Sequence, residues 1–164
     1  VLWGASFFRP AMRRSRASLI RKAACMSESC LFCEIAARRI AASVVYEDDA
    51  VMAFLDINPL ALGHMLLITK MHYETLLEVP KQAFSALFSA AQNIAAVQMK
   101  TLGAEGINWL QSSGTAAGQE IFHFHIHLIP RMSEDGVGWN WKPTLYETPD
   151  ECDQLANLLK ENLK

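Results

Sequence analysis

Phe122-His123-Phe124-His125-Ile126-His127-Leu128-Ile129-Pro130 decides how the rest of the chain is read. Side chains of a β-strand alternate between two faces, so positions i, i+2 and i+4 share one of them. His123, His125 and His127 therefore point one way. Phe122, Phe124, Ile126 and Leu128 point the other way, into a core. One histidine on a strand is usually a satisfied polar residue. Three in register gain little from packing, and any two that protonate repel each other. The pattern predicts chemistry of one of two kinds: a metal site, because imidazoles at i and i+2 are common zinc ligands, or nucleophilic catalysis by an imidazole.

Outward from that strand, the Gly-rich stretch Ser112–Gly118 links it to an earlier strand, Ile107–Gln111. Before these lies a long helix, Pro80–Thr101. Pro80 suits a first turn, Gly103 and Gly106 stop it, and Phe84, Leu87, Phe88, Ala91, Ile94 and Ala95 make one apolar face. Upstream are the strands Val44–Glu47, Ala50–Ile57 and Met65–Thr69, the first two joined at Asp48-Asp49. Met65–Thr69 is apolar on both faces, which predicts a central strand. A short helix over Leu31–Arg38 precedes them. Thr148-Pro149-Asp150-Glu151 is a capping box that opens a C-terminal helix. Residues 134–147, with Trp139 and Trp141, read as irregular loop. Strands, one long helix and more strands predict an α+β fold with an antiparallel sheet.

The 164 residues fit a single domain, and an apolar share of 51% is enough for a packed core. No apolar run approaches the roughly 20 residues that cross a bilayer, so no membrane partner is expected. A pI near 6.2 gives no sign of a nucleic-acid footprint. The net charge of −2 conceals two unlike parts. Residues 1–25 carry Arg9, Arg13, Arg14, Arg16, Arg21 and Lys22 and no acid, whereas the body from Met26 onward is strongly acidic. The basic segment has the style of a mitochondrial presequence, and an upstream leader would look the same. The expected division is thus 1–25 as an extension and 26–164 as the working domain with a C-terminal specificity tail. The expected location is cytoplasmic, or mitochondrial if the extension is a targeting segment.

Cys30 and Cys33 form a Cys-x-x-Cys pair, which alone is ambiguous between redox and zinc chemistry. A redox site wants a strand–helix context, and the polar Ser27-Glu28-Ser29 precedes this pair. Two thiolates and two imidazoles would complete a closed tetrahedral zinc site. His72 and one histidine of the triplet are the available partners, leaving the others for chemistry.

At these residues the chain resembles the histidine triad (HIT) superfamily of nucleotide hydrolases and transferases, in its zinc-containing bacterial-type branch. The signature is His123-Phe124-His125-Ile126-His127-Leu128-Ile129, with Gly114-Thr115-Ala116-Ala117-Gly118-Gln119 as the phosphate loop. Cys30-Leu31-Phe32-Cys33-Glu34-Ile35, Tyr46-Glu47-Asp48-Asp49, Phe54-Leu55-Asp56-Ile57-Asn58-Pro59 and Gly63-His64 match the N-terminal half. The resemblance implies a five-stranded antiparallel sheet paired into a homodimer. It makes His125 the nucleophile toward the α-phosphate of a purine nucleotide conjugate, through a nucleotidyl-histidine intermediate. His127 and His64 would flank the phosphate, and Gln119 would hydrogen-bond it. Gly114, Gly118 and Ser112 would approach it or the ribose, and Asp56 would accept the ribose hydroxyls. Phe32, Ile35, Phe54, Leu55 and Ile57 would wall the base. Structural zinc (Zn2+) would sit on Cys30, Cys33, His72 and His123. A phosphoramidase-like activity is expected; hydrolysis of dinucleoside polyphosphates, a non-catalytic nucleotide-binding module and a mononuclear zinc hydrolase are the alternatives. Two positions depart from the pattern. Glu120 stands where relatives carry a hydroxyl residue, and Ser112 where many carry Asn.

Overall fold

The computed structural model describes residues 30–138, 143–144, 146 and 148–163. The basic segment 1–25, Trp139 and Trp141 lie outside the described residues. The order is α1 (Leu31–Ala36), β1 (Val44–Glu47), β2 (Val51–Leu55), β3 (Met65–Thr69), α2 (Lys81–Leu102), β4 (Gly106–Leu110), β5 (His125–Arg131) and α3 (Pro149–Asn162). The strands form one antiparallel sheet in the order β1-β2-β3-β5-β4. β3 is the middle strand and all five of its residues are buried, as its two apolar faces predict. Among the described residues no helix is long and apolar enough to cross a membrane.

The sheet is covered on both faces. On one, Ala53, Leu67, Phe124, Ile126 and Leu128 pack against Leu87, Ala91 and Ile94 of α2. On the other, Met52, Phe54, Leu66 and Ile68 pack against Phe32, Cys33 and Ile35 of α1. Alternation along β5 therefore sends Ile126 and Leu128 under α2, and His125 and His127 to the side of α1. Burial of these apolar side chains, each contributing about 1.5–3 kcal/mol, holds the histidine-bearing strand in register.

Local chemistry sets the boundaries. Asp48 Oδ1 accepts the amides of Ala50 and Val51 at 2.7 and 2.8 Å and turns the chain between β1 and β2. Pro80 caps α2 and Gly103 ends it with φ +71°. Thr148 Oγ1 accepts the Glu151 amide at the start of α3. At the end of β5, Arg131 grips Asp135 through Nε and Nη2, both at 2.7 Å, and also bonds Asn108 and the Val137 carbonyl.

Three expectations need correction. The strand starts at His125 instead of Phe122, because the Phe124 amide donates to the Tyr73 carbonyl of the loop after β3 and leaves the ladder. Phe122, freed from the alternation, is exposed instead of in the core. Phe88 is also exposed; it leaves the α2 core face and stacks on Trp109 of β4 at a centroid distance of 4.9 Å. The buried face of α2 continues from Ile94 through Gln98.

Candidate active site and metal centre

β5 and the segment before it present two neighbouring groups of imidazoles. Where the chain leads into β5, His123 is fully buried. Its Nε2 donates to the Thr69 carbonyl at 2.8 Å, which turns Nδ1 toward Cys30 Sγ at 3.4 Å and Cys33 Sγ at 3.5 Å. His72 Nδ1 lies 3.3 Å from Cys33 Sγ. The four ligand atoms are within 4.8 Å of one another. In a zinc tetrahedron with ordinary bond lengths, sulfur and nitrogen are about 3.5 Å apart. With both sulfurs reduced to thiolates, the cluster would have the spacing, the soft donors and the carbonyl-fixed tautomer of a structural zinc site. Burial, partly opposed by the Thr69 carbonyl, pushes the His123 imidazole down to about 4 and keeps it neutral.

The second group lies further along β5. His125 Nδ1 donates to the His123 carbonyl at 2.7 Å, so its Nε2 carries a lone pair. The edge of Phe32 packs against this ring at 5.2 Å. Burial lowers the His125 pKa, which favours the neutral, nucleophilic form. The Leu60 amide donates to His64 Nδ1 at 3.2 Å. His64 Nε2–H must then be the donor to His127 Nδ1, 2.9 Å away. His127 is left with Nε2–H as its outward group. Burial lowers the His64 pKa, with Asp56 opposing. It also lowers His127, to about 4, reinforced by His125 and His64. One lone pair on His125 and one N–H on His127 thus stand side by side on neutral rings whose centroids are 5.0 Å apart.

The remaining expected residues divide. His64 meets His127 through its Nε2, and its side chain is 2% exposed. Asp56 Oδ1 accepts the Asn58 amide at 2.8 Å, and its Oδ2 faces His64 Nδ1 at 3.6 Å. Phe32, Ile35 and Phe54 belong to the α1-side core, whereas Leu55 and Ile57 are exposed and free to meet a ligand. Ser112 is half-buried, at the start of the phosphate loop.

That loop is held by hydrogen bonds of its own. Gly114 (φ +88°) and Gly118 (φ +85°) supply the backbone bends that residues with a Cβ resist. Their amides are already committed, however, to Gln119 Oε1 and to the Thr115 carbonyl. Buried Gln119 in turn gives its Nε2 hydrogens to the carbonyls of Glu74 and Ile121, at 2.6 and 3.1 Å. Gln119 thus braces the loop from inside. Glu120 is exposed and faces a cavity of about 330 Å³ shared with Cys30, His72, Glu74 and Phe122. Sequence reasoning missed the Leu60 amide and the Thr69 carbonyl, because backbone groups leave no residue-type signal.

The profile of the HIT domain matches residues 37–134. The chain is 41% identical over 139 residues to Protein hit of Bacillus subtilis, covering 84% of this chain and 96% of that protein. It is 40% identical over 141 residues to adenylylsulfatase HINT3 of Arabidopsis thaliana, covering 84% and 71%. Among solved structures, a HIT family protein from Bacillus subtilis superposes with a TM-score of 0.77 at 36% identity, covering 84% of this chain and 99% of that one. A Zn-bound histidine triad family protein from Mycobacterium smegmatis gives 0.65 at 31% identity, covering 82% and 98%. The alternating histidines, the sheet that holds them and these relatives agree: the chain belongs to the HIT domain family.

Proposed function

We propose that the protein is a nucleotidyl-histidine hydrolase or transferase acting on nucleoside monophosphate conjugates, with a preference for phosphoramidate-type substrates. The observation that carries this reading is the pairing of opposite polarities on β5, a lone pair at His125 Nε2 beside an N–H at His127 Nε2. His125 Nε2 attacks the α-phosphorus. The new phosphorus–nitrogen bond forms as the bond to the leaving amine, acyl or nucleotide group breaks; that group departs with the electron pair and takes up a proton from solvent. His127 Nε2–H bonds an oxygen on which charge develops. Water then attacks the phosphorus and gives up a proton to solvent as the phosphorus–nitrogen bond breaks, its electron pair returning to His125 Nε2 and releasing the nucleoside monophosphate. Asp56 would bind ribose hydroxyls, with Leu55 and Ile57 against the base.

Cys30, Cys33, His72 and His123 would hold zinc. When bound, the metal supplies a crosslink between the start of α1 and the approach to β5, and no reaction step. His123 would link the two sites, since its ring would hold the metal while its carbonyl accepts the His125 Nδ1–H. A homodimer formed along the outer strand β4 is supported by the exposed, stacked Phe88 and Trp109. Sedimentation equilibrium checks it, and a monomer at all concentrations would exclude it.

Mixing the protein with adenosine phosphoramidate and quenching rapidly in base should trap an adenylylated chain, with the label on His125. No label together with tight binding would favour the non-catalytic nucleotide-binding reading. Because one relative is named an adenylylsulfatase, adenylyl sulfate belongs in the same panel as diadenosine tetraphosphate. Equal rates on all three substrates would remove the phosphoramidate preference.

A further inference from the structure

Gln98 is the polar exception on the buried face of α2, on the same stripe as Leu87, Ala91 and Ile94. It is 1% exposed. Its Nε2 donates to the Gly63 carbonyl at 2.8 Å and to the Leu128 carbonyl at 3.1 Å. Gly63 immediately precedes His64, and Leu128 immediately follows His127. One carboxamide, on the face of the sheet opposite the histidines, therefore ties together the two backbone segments that bear the donating pair. Its Oε1 is buried with no hydrogen-bond partner among the described residues. A buried acceptor without a partner lowers stability, so the two N–H groups, and not packing, account for an amide here.

The same end of α2 holds Gly63 a second way. Gly63 has φ +86°, and a Cβ built on it would lie 2.3 Å from Leu102 Cδ1. The turn before His64 is thus seated directly against the last turn of the helix. A shift of that turn would move His64 against His127 and open the 2.9 Å contact that fixes which nitrogen of His127 carries the proton.

We infer that Gln98 is a positioning residue for the reaction, bridging the His64 and His127 segments so that the His127 Nε2–H stays aimed at the substrate. The inference rests on the nucleotidyl-transfer reading for its effect on rate, but not for its effect on the histidine pair. It acts through backbone carbonyls and touches no reacting atom.

The test uses the full zinc-loaded chain with Gln98→Met, which keeps the length and apolar fit but removes both donors. Nitrogen-15 ring spectra of the wild type should show His64 and His127 as Nε2–H tautomers. In Gln98→Met, His127 should become a mixture of tautomers. With adenosine phosphoramidate, kcat should fall about 10- to 100-fold while KM stays within about threefold. Gln98→Asn, which keeps the amide but is one methylene shorter, should show the same ring change and an intermediate kcat. It carries the test alone if Gln98→Met does not fold. A folded variant with wild-type ring spectra and wild-type kcat overturns the inference. So does a kcat loss that only follows the loss of folded protein, with unchanged ring spectra. If the nucleotide reading itself is wrong, the wild type shows no turnover on any member of the substrate panel, yet the tautomer change in Gln98→Met remains.

Discussion

His123 and His127 lie in one run of sequence, and burial pushes both imidazoles down to about 4. They nevertheless face opposite tasks. His123 gives its Nε2–H to a backbone carbonyl and turns a lone pair toward two sulfurs. His127 takes a hydrogen bond at Nδ1 from His64 and turns an N–H outward. Residue type and protonation are shared, although His123 is fully buried and His127 only partly. What separates the proposed metal ligand from the proposed substrate-facing donor is the partner on the far nitrogen.

The largest break in this comparison comes at the residue between the two. His125→Ala should lower turnover by about 10⁴-fold or more and abolish covalent labelling. Nucleotide binding, measured by calorimetry, should persist, because Asp56, Leu55 and Ile57 remain. Residual turnover near the wild-type rate would reassign the nucleophile.

On the metal side, Cys33→Ser should remove the zinc, about one ion per chain, and lower the melting temperature by roughly 10 °C. Elemental analysis and thermal unfolding check this. Zinc retained in Cys33→Ser but lost in His125→Ala would place the metal among the triad histidines instead.

On the donor side, His127→Ala should cost about 10²-fold in kcat, and His64→Ala less. If His64 acts only through His127, the double variant should be no slower than His127→Ala alone. Additive losses would mean that His64 contacts the substrate directly.

The smallest effect is on pH dependence. The unfolded chain takes up a proton at His127 near pH 6.5, whereas burial holds the folded ring neutral down to about 4. The unfolded state therefore binds more protons across that interval, and unfolding free energy rises with pH from about 4 to 6.5. Above it the contribution is constant. Urea midpoints at pH 5 and 7 should differ less in His127→Asn than in the wild type.

Much of this is legible in residue order. Strict alternation in 122–128 identifies β5, the apolar Met65–Thr69 identifies the middle strand, and thiol and imidazole chemistry assembles the Cys30, Cys33 and His72 cluster. What escapes is instructive. Phe122 and Phe88 obey their periodicities, yet one precedes the ladder and the other finds Trp109. The bonds that tie Gly114, Gly118 and Gln119 into their loop escape because a sequence shows which groups can bond, but not which are bonded to each other. Gln98 does leave a trace: a carboxamide on the apolar stripe of a helix is an anomaly that periodicity alone exposes.

β5 also constrains how this protein can change over time. The residues that form its core contacts and those that carry its chemistry are interleaved one for one. Deleting or inserting a single residue there would exchange the two sets, placing imidazoles under α2 and aliphatic side chains at the reaction site. Length variation within 123–128 should therefore disrupt core and site together, where a point substitution alters one or the other. New specificities must come from segments outside this frame, such as the exposed stretch around Ile57.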